Sequence, residues 1–464
     1  MERLAFSCGL PAAAVDDRRT DEPDTSVAAG DARVEGQDSA AFRALLAFTF
    51  VLFVRPQDTF PFLEPLHLAD LTAALAAFSL IAGRLGRGAP LSRITPELLA
   101  VLSLGGVMLA TAPFSLWPGG AVAVFTDLFV KVILVFVLMV NTITTRDRFE
   151  RLVNIVVLGT SYIAVRAVID YGRGANIVEG GRVQGTGGLF GNPNDMALNM
   201  IAFLPLAVML ALGQSRRALR FIALIGIPAI SLAVIFSKSR GGTVGLIAML
   251  LVLVYQIGRL RPVVAALVVA STFATIPILP ASFTSRMSSI FNAEEDPTGS
   301  REARKTLLRE GYQAFLENPT VGLGAGQFMN YRTGDREAPW RETHNAVLQV
   351  AAELGVGGLV IFIIVIGSGF AAAVRTGSAL RRARRRRKPR EPAHVRTRRE
   401  PLELYAAALV ASLTGWLVAA MFASVAYYWT LYLVLGLATA LRDITQRELV
   451  GAVRPAAGGQ RAAA

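Results

Sequence analysis

His344 stands between Thr343 and Asn345, where a long polar stretch gives way to an apolar run beginning at Ala346. Imidazole changes charge near neutral pH, so a histidine at such a junction suits a general base that takes a proton from a hydroxyl. A simpler role, capping a helix at an interface, competes with this. Four cations accompany it: Arg182, Lys238, Arg240 and Arg301. Arg182 lies in the glycine-rich stretch Gly181 to Asp195, which ends Gly191-Asn192-Pro193-Asn194-Asp195. Glycines let backbone approach a ligand, and Asn-Pro-Asn-Asp reads as a turn into a helix whose first N–H groups can face an anion. Plain capping competes for Asn194 and Asp195, but a capping turn has no need of an arginine. Lys238 and Arg240 sit in Ser237-Lys238-Ser239-Arg240-Gly241-Gly242, which joins two apolar runs almost without a loop. Snorkelling toward lipid phosphates competes there with a phosphate clamp, to which the planar guanidinium is suited. Arg301 falls in the first turn of a helix expected from Ser300 to Glu317, where the helix dipole disfavours a cation, so it is a better ligand candidate than Arg304, Lys305 or Arg309. Leu307, Leu308, Tyr312, Phe315 and Leu316 form that helix's expected apolar face, against the membrane or over a cavity mouth. Glu353 is nine positions after His344, about half a turn out of phase, and reads as a buried polar tie. The chain has no cluster with metal-ligand spacing and no nucleophile beside a base, so neither metal nor cofactor is expected.

The elements that must position these residues are membrane helices. The chain has 464 residues, 53% hydrophobic and 17% charged, and apolar runs long enough to span a bilayer recur along it. About twelve transmembrane helices are expected, at roughly 41–54, 66–82, 97–112, 120–140, 150–169, 195–213, 219–236, 241–257, 262–280, 345–374, 402–424 and 428–441. The fold class is an all-α polytopic membrane protein, because backbone groups in lipid must bond within the segment. The alternating ten-residue segments of an outer-membrane barrel are absent. A net charge of +13 is read as cytoplasmic anchoring and not as nucleic-acid binding. The single cysteine, Cys8, excludes an internal disulfide framework.

Basic residues cluster in every second connection, from Arg84, Arg87 and Arg93 through to the run Arg381–Arg399. The positive-inside rule then places both termini in the cytoplasm. The expected division is a disordered tail over 1–40, nine spans over 41–280, an extracytoplasmic loop over 281–344 between spans nine and ten, three spans over 345–441 with a basic cytoplasmic loop at about 375–401, and a tail over 442–464. Arg182, Lys238, Arg240, Arg301 and His344 then open on one, non-cytoplasmic side, and His394 is excluded as a base. Tyr427, Tyr428 and Trp429 suit an aromatic belt at the outer interface. Asp127 with Lys131, and Arg166 with Asp170, read as intrahelical ion pairs at four-residue spacing.

At these residues the chain resembles the O-antigen ligase and polymerase superfamily of bacterial membrane glycosyltransferases. The pieces that match are Arg182 with Gly191-Asn192-Pro193-Asn194, Ser239-Arg240-Gly241, Arg301 ahead of Glu317-Asn318-Pro319 and Gly322-Leu323-Gly324, and Thr343-His344-Asn345 with Glu353-Leu354-Gly355. Arg55-Pro56-Gln57-Asp58 resembles members from exopolysaccharide clusters. The likeness covers about 180–360 well, and its order and spacing carry it. It implies a GT-C-like fold in the bacterial inner membrane, with the active site facing the periplasm. It implies a glycan donor on undecaprenyl diphosphate, an acceptor hydroxyl on a glycan or lipid A-core, and metal-independent transfer with inversion in surface polysaccharide or lipopolysaccharide biosynthesis. On that reading His344 is catalytic. Arg182, Arg240, Lys238 and Arg301 hold the diphosphate, and Asn192, Asn194, Asn345 and Glu353 support the loops or the substrate channel. A transporter or flippase of lipid-linked glycan is the alternative; it predicts internal repeats, which the sequence lacks.

Overall fold

The computed structural model describes residues 38–213, 216–275, 277, 279–288, 300–332, 342–385 and 393–451. The expected tail to residue 37, and the end of the chain from 452, lie outside the described residues. Fourteen helices matter to the argument. They are α1 Ser39–Val54, α2 Leu68–Leu85, α3 Pro96–Thr111, α4 Pro118–Thr142, α5 Arg146–Arg173, α6 Pro193–Gly213 and α7 Arg217–Phe236. Then come α8 Arg240–Gly258, α9 Pro262–Thr275, α10 Ala281–Ser288, α11 Ser300–Glu317, α12 Ala346–Arg385, α13 Ala393–Ala420 and α14 Trp429–Gly451. Their starts are written in the sequence. Pro opens α3, α4, α6 and α9, where its missing N–H costs nothing. The Thr95 hydroxyl accepts from Leu98 N–H at 3.2 Å, and Ser239 Oγ accepts from Gly242 N–H at 3.1 Å. Such a cap stabilises a helix by about 1 kcal/mol.

The chain is an all-α polytopic membrane protein. Among the described residues nine helices are long and apolar enough to cross a membrane. Of the twelve expected spans, three fall short of that measure. α1 has 16 residues, α9 has 14, and the apolar part of α14 stops at Arg442. Helix α12 runs on to Arg385 and α13 starts at Ala393, so the described parts of the expected basic loop are helical; residues 386–392 lie outside the described residues. The expected loop over 281–344 contains two helices, α10 and α11, and the expected tail from 442 begins as the end of α14.

Helix α6 is the most enclosed of the candidate spans. It packs on α7 and α13, and α13 in turn packs on α8 and α12. Small residues let these backbones approach. A Cβ on Gly245 would lie 2.8 Å from Ala419 Cβ, and one on Gly415 would lie 2.6 Å from Ile201 Cγ2. A second ring of packing, α1 on α5 and α5 on α7, closes around Phe53, whose ring meets Phe203 at 5.3 Å and Phe190 at 6.0 Å. At one end of the bundle Asp38 pairs with Arg84 and Arg87, Arg93 with Asp443, and Arg442 with Glu97. The opposite end holds the site.

Two pairings and an aromatic trio differ from expectation. Residues Val124–Phe129 of α4 are π-helical, which rotates Lys131 away from Asp127. Lys131 Nζ instead meets Asp70 of α2 at 2.9 Å, and Asp127 accepts from Thr126 Oγ1 at 3.1 Å. Arg166 donates to the Tyr162 hydroxyl at 3.3 Å, one turn back, while Asp170 accepts from Asn176 Nδ2 at 2.7 Å. Of the trio expected in an aromatic belt, only Tyr428 is exposed. Tyr427 is buried, Tyr428 lines a cavity, and Trp429 packs on Phe48 with ring centres 5.6 Å apart.

Candidate active site

A cavity of about 550 Å³ opens where the start of α6, the helix α11, the junction before α12 and the turn between α13 and α14 converge. Arg182, Asn192, Asn194, Arg304, Glu342, His344 and Tyr428 are on its walls. That size is ordinary for a small-ligand site.

Arg182 is placed by a short hairpin. Ile177–Val178 pairs antiparallel with Arg182–Val183, with Val178 opposite Arg182. Gly180 and Gly181 make the turn with φ of +76° and +62°, values that only glycine adopts freely. Buried Val183 and Phe190 pin the following loop to the bundle. The guanidinium is then held from two sides: Nε donates to the Ser237 carbonyl at 3.1 Å and Nη2 to Asn194 Oδ1 at 2.7 Å. Asn194 Oδ1 also accepts from Ser239 Oγ at 2.9 Å. One amide oxygen thus ties the arginine to the capping serine of α8. Asn192 caps α6, its Oδ1 accepting from Asn194 N–H and Asp195 N–H, each at 2.9 Å.

Lys238 and Arg240 stand beside this arginine but are not cavity-wall residues. Lys238 is buried, has φ of +48°, and its Nζ donates to the Gly180 carbonyl at 3.3 Å. Arg240 opens α8, half-buried. Arg286 of α10, which sequence reasoning passed over, donates from Nε to the Lys238 carbonyl at 3.0 Å. Arg301 is in the first turn of α11, and its side chain lies outside the described residues. The arginine of α11 on the cavity wall is Arg304, with Ala303 and Leu307 beside it. The sequence shows its neighbours as a small and apolar stripe but not which stripe turns inward. Ala303, Leu307 and Ala314 are the small and apolar residues of the face that turns inward, whereas Leu308, Tyr312 and Leu316 are exposed. The expected single apolar face is therefore two faces.

The cations act on one another. Burial, then the charges of Arg286, Arg304 and Arg240, bring the Arg182 pKa down to about 10. Burial, then Arg286 and Arg182, also lower that of Lys238. Arg182 remains charged at neutral pH and so offers an anion a positive group on the wall. The same lining carries carboxylates, Asp195 and Glu342. Desolvation, then the nearby Asp195, raises the Glu342 pKa above the usual carboxylate range.

His344 sits half-buried between α11 and the α13–α14 turn, in the left-handed region with φ of +48°. Ser424 holds that geometry. Its Oγ accepts from His344 N–H at 2.9 Å and lies 3.1 Å from Thr343 Oγ1. Asn345 caps α12, its Oδ1 accepting from Val347 and Leu348 N–H at 3.0 Å each. Glu353 lies on the wall of a neighbouring cavity and not beside His344. Its carboxylate accepts from Gly326 N–H at 2.9 Å and Phe328 N–H at 3.5 Å. The helix breaks there. Gly355 has φ of +66° and ψ of −164°, and a Cβ on it would lie 2.6 Å from the carbonyl oxygens of Pro319 and Thr320. Reciprocally, a Cβ on Gly322 would lie 2.3 Å from the Glu353 carbonyl carbon. The Gly322–Gly326 turn is thereby clamped onto the broken helix, which fixes the end of α11 and its arginine relative to His344. Among the described residues no three His, Cys, Asp or Glu side chains gather as a metal site requires.

Residues 225–363 match a protein-family model described as O-antigen ligase. Residues 39–211 match a family of unknown function. No curated protein matches the chain.

Proposed function

We propose that this chain, which carries the O-antigen ligase domain at residues 225–363 and so falls in the O-antigen ligase/polymerase superfamily, transfers a glycan from an undecaprenyl-diphosphate carrier to an acceptor hydroxyl. The observation that carries this reading is one cavity with His344 and Glu342 on its walls alongside Arg182 and Arg304, and with Lys238, Arg240 and Arg286 packed behind Arg182. The acceptor oxygen attacks the anomeric carbon from the face opposite the diphosphate. The bond from that carbon to the phosphate oxygen breaks, its electron pair leaves with undecaprenyl diphosphate, and the configuration inverts. The acceptor proton passes to His344. Arg182 and Arg304 meet the charge that grows on the departing diphosphate, and the other three cations raise the local potential. A preorganised donor of this kind stabilises a transition state by about 3 kcal/mol. The cavity end of the bundle then faces the periplasm, and the protein resides in the bacterial inner membrane. Lipid A-core, or the next lipid-linked repeat of an O-antigen or exopolysaccharide, is the acceptor.

Full-length protein in nanodiscs, given lipid-linked glycan and acceptor extracted from the source bacterium, tests the reading. Transfer releases undecaprenyl diphosphate, whereas translocation by a flippase leaves the donor intact. His344→Ala is expected to bind undecaprenyl diphosphate normally and to lose about two to four orders of magnitude in turnover. Normal turnover in that variant overturns the assignment.

A further inference from the structure

His344 faces an electrostatic difficulty. To act as a base it must become an imidazolium, and Arg182 and Arg304 line the same cavity, where their charges oppose that change. A carboxylate near the imidazole answers this. Yet a carboxylate in a cavity that takes a diphosphate weakens donor binding, so its presence calls for a reason. Two carboxylates are on the lining, Asp195 and Glu342. Asp195 is engaged by Asn192 Nδ2 at the start of α6. Glu342 is two residues from His344.

Local chain geometry brings Glu342 and His344 to one wall. Glu342 and Thr343 are non-helical, and side chains two apart along such a stretch fall on one side. Glu342 and His344 accordingly both line the cavity, whereas Thr343 between them is buried, its Oγ1 3.1 Å from Ser424 Oγ. Two residues of chain span no more than about 7 Å. Ser424 serves both neighbours. Its Oγ accepts from His344 N–H at 2.9 Å, and its hydroxyl favours the charged form of Glu342. We propose that Glu342 is a positioning residue that acts through His344, its carboxylate stabilising the imidazolium formed when the acceptor proton arrives. The proton stays on His344 until it returns to water, and Glu342 neither gains nor loses one. The other ionisable groups on the lining are Arg182, Asp195, Arg304 and Tyr428. Burial, then the charges of Glu342, Asp195 and Glu353, push the Tyr428 hydroxyl up to about 12, so it stays neutral. This inference rests on the transferase reading, and it gives a carboxylate in an anion-binding cavity a task.

The test follows transfer across pH by full-length protein in nanodiscs, with lipid-linked glycan and acceptor extracted from the source bacterium. Glu342→Gln replaces an exposed side chain and is compared once it melts as the parent does; Glu342→Ser serves if it does not. Three results are expected together. The pH below which turnover falls moves down by about one unit, because a unit charge some 7 Å from the imidazole has gone. Turnover on the plateau above that limb falls about fivefold, because the imidazolium is less stabilised in the transition state. Undecaprenyl diphosphate binds at least as tightly as to the parent, since a like charge has left the cavity. Glu342→Asp keeps the parent's limb, and the residual turnover of His344→Ala lacks it. An unmoved limb in folded Glu342→Gln overturns the proposal, as does the Gln profile in Glu342→Asp. Weakened undecaprenyl diphosphate binding in Glu342→Gln also overturns it, because Glu342 would then be part of the donor's support. A limb that survives in His344→Ala overturns it too, since the limb then belongs to another group. Absence of transfer by the parent at every pH overturns the transferase reading itself, and this pairing with it; transfer with an unmoved limb removes the pairing alone.

Discussion

Arg182 is the cation whose loss is most informative, because its side chain is both a ligand candidate and a strut. Arg182→Ala removes one charge from the cavity wall and two hydrogen bonds, to the Ser237 carbonyl and to Asn194. A unit charge about 4 Å from an anionic oxygen contributes on the order of 4 kcal/mol at an effective dielectric of 20. Against this, the empty site is relieved of the repulsion among Arg182, Arg286, Arg304 and Arg240 that, after burial, lowers the arginine's proton affinity. The net loss expected in donor binding is about 2 kcal/mol, roughly 30-fold. Turnover falls about tenfold further, because charge on the diphosphate grows in the transition state. Arg182→Lys keeps the charge but cannot hold both partners and aim at the ligand, so it recovers about half of the binding free energy. Asn194→Ala separates strut from ligand. It leaves the charge but frees the guanidinium and Ser239 Oγ together, and is expected to cost about 1 kcal/mol in donor binding. Undecaprenyl diphosphate titration of purified protein in nanodiscs gives the affinities, and release of that product gives turnover. Arg182→Ala that folds normally and binds undecaprenyl diphosphate like the parent refutes the assignment.

Other consequences are as direct. Arg304→Ala should weaken undecaprenyl diphosphate binding by about tenfold, whereas Lys305→Ala, an exposed residue paired with Glu302 at 2.6 Å, should leave it unchanged; equal effects would mean that α11 acts only through its general charge. Gly355→Ala should lower stability by at least about 3 kcal/mol, the strain of a glycine-only conformation plus contact with two carbonyl oxygens, read as a drop in melting temperature or loss of protein from the membrane. Thr320→Cys should react with an impermeant thiol reagent in cells with a permeabilised outer membrane, and Leu91→Cys should not; the reverse pattern would invert the proposed topology.

Much of this site was legible because membrane helices announce themselves and their starts are punctuated. Asn192, Ser239 and Asn345 each precede a long apolar run, and each caps the helix that follows. The positive-inside alternation, read from arginines alone, gathered Arg182, Lys238 and His344 at one end of the chain's bundle. What the sequence hid were relations across elements. Lys131 stands four residues from Asp127, and only the π-helical turn between them sends it to Asp70. Arg304 looked like one more solvated residue on a charged helix. Its importance depends on which of two apolar stripes turns inward, and the packing of Leu307 against the cavity decides that. Glu342 and Tyr428 gave no signal, since they belong to the cavity only once α12 and α14 are docked.

The placement of the cations argues for a division of labour that residue types alone do not suggest. Lys238 is spent on the Gly180 carbonyl, and Arg286 bonds the Lys238 carbonyl, so neither presents its full donor set to a ligand. Yet Arg286, after burial, lowers the proton affinity of both Arg182 and Lys238, which means that its charge is felt there. Among the described cations, Arg182 and Arg304 are the ones on the cavity wall. The inner cations therefore set the potential, and the two wall arginines set the geometry. A diphosphate must be gripped firmly enough to align its sugar with the acceptor, then let go as a lipid product. Two direct ligands backed by a buried field satisfy both needs, because the field acts on growing charge without adding hydrogen bonds that must break on release. Replacing Arg286 by Met should accordingly slow turnover more than it weakens undecaprenyl diphosphate binding, whereas Arg304→Ala should do the opposite. Equal losses in both quantities for both variants would show that the cluster acts as one undivided clamp.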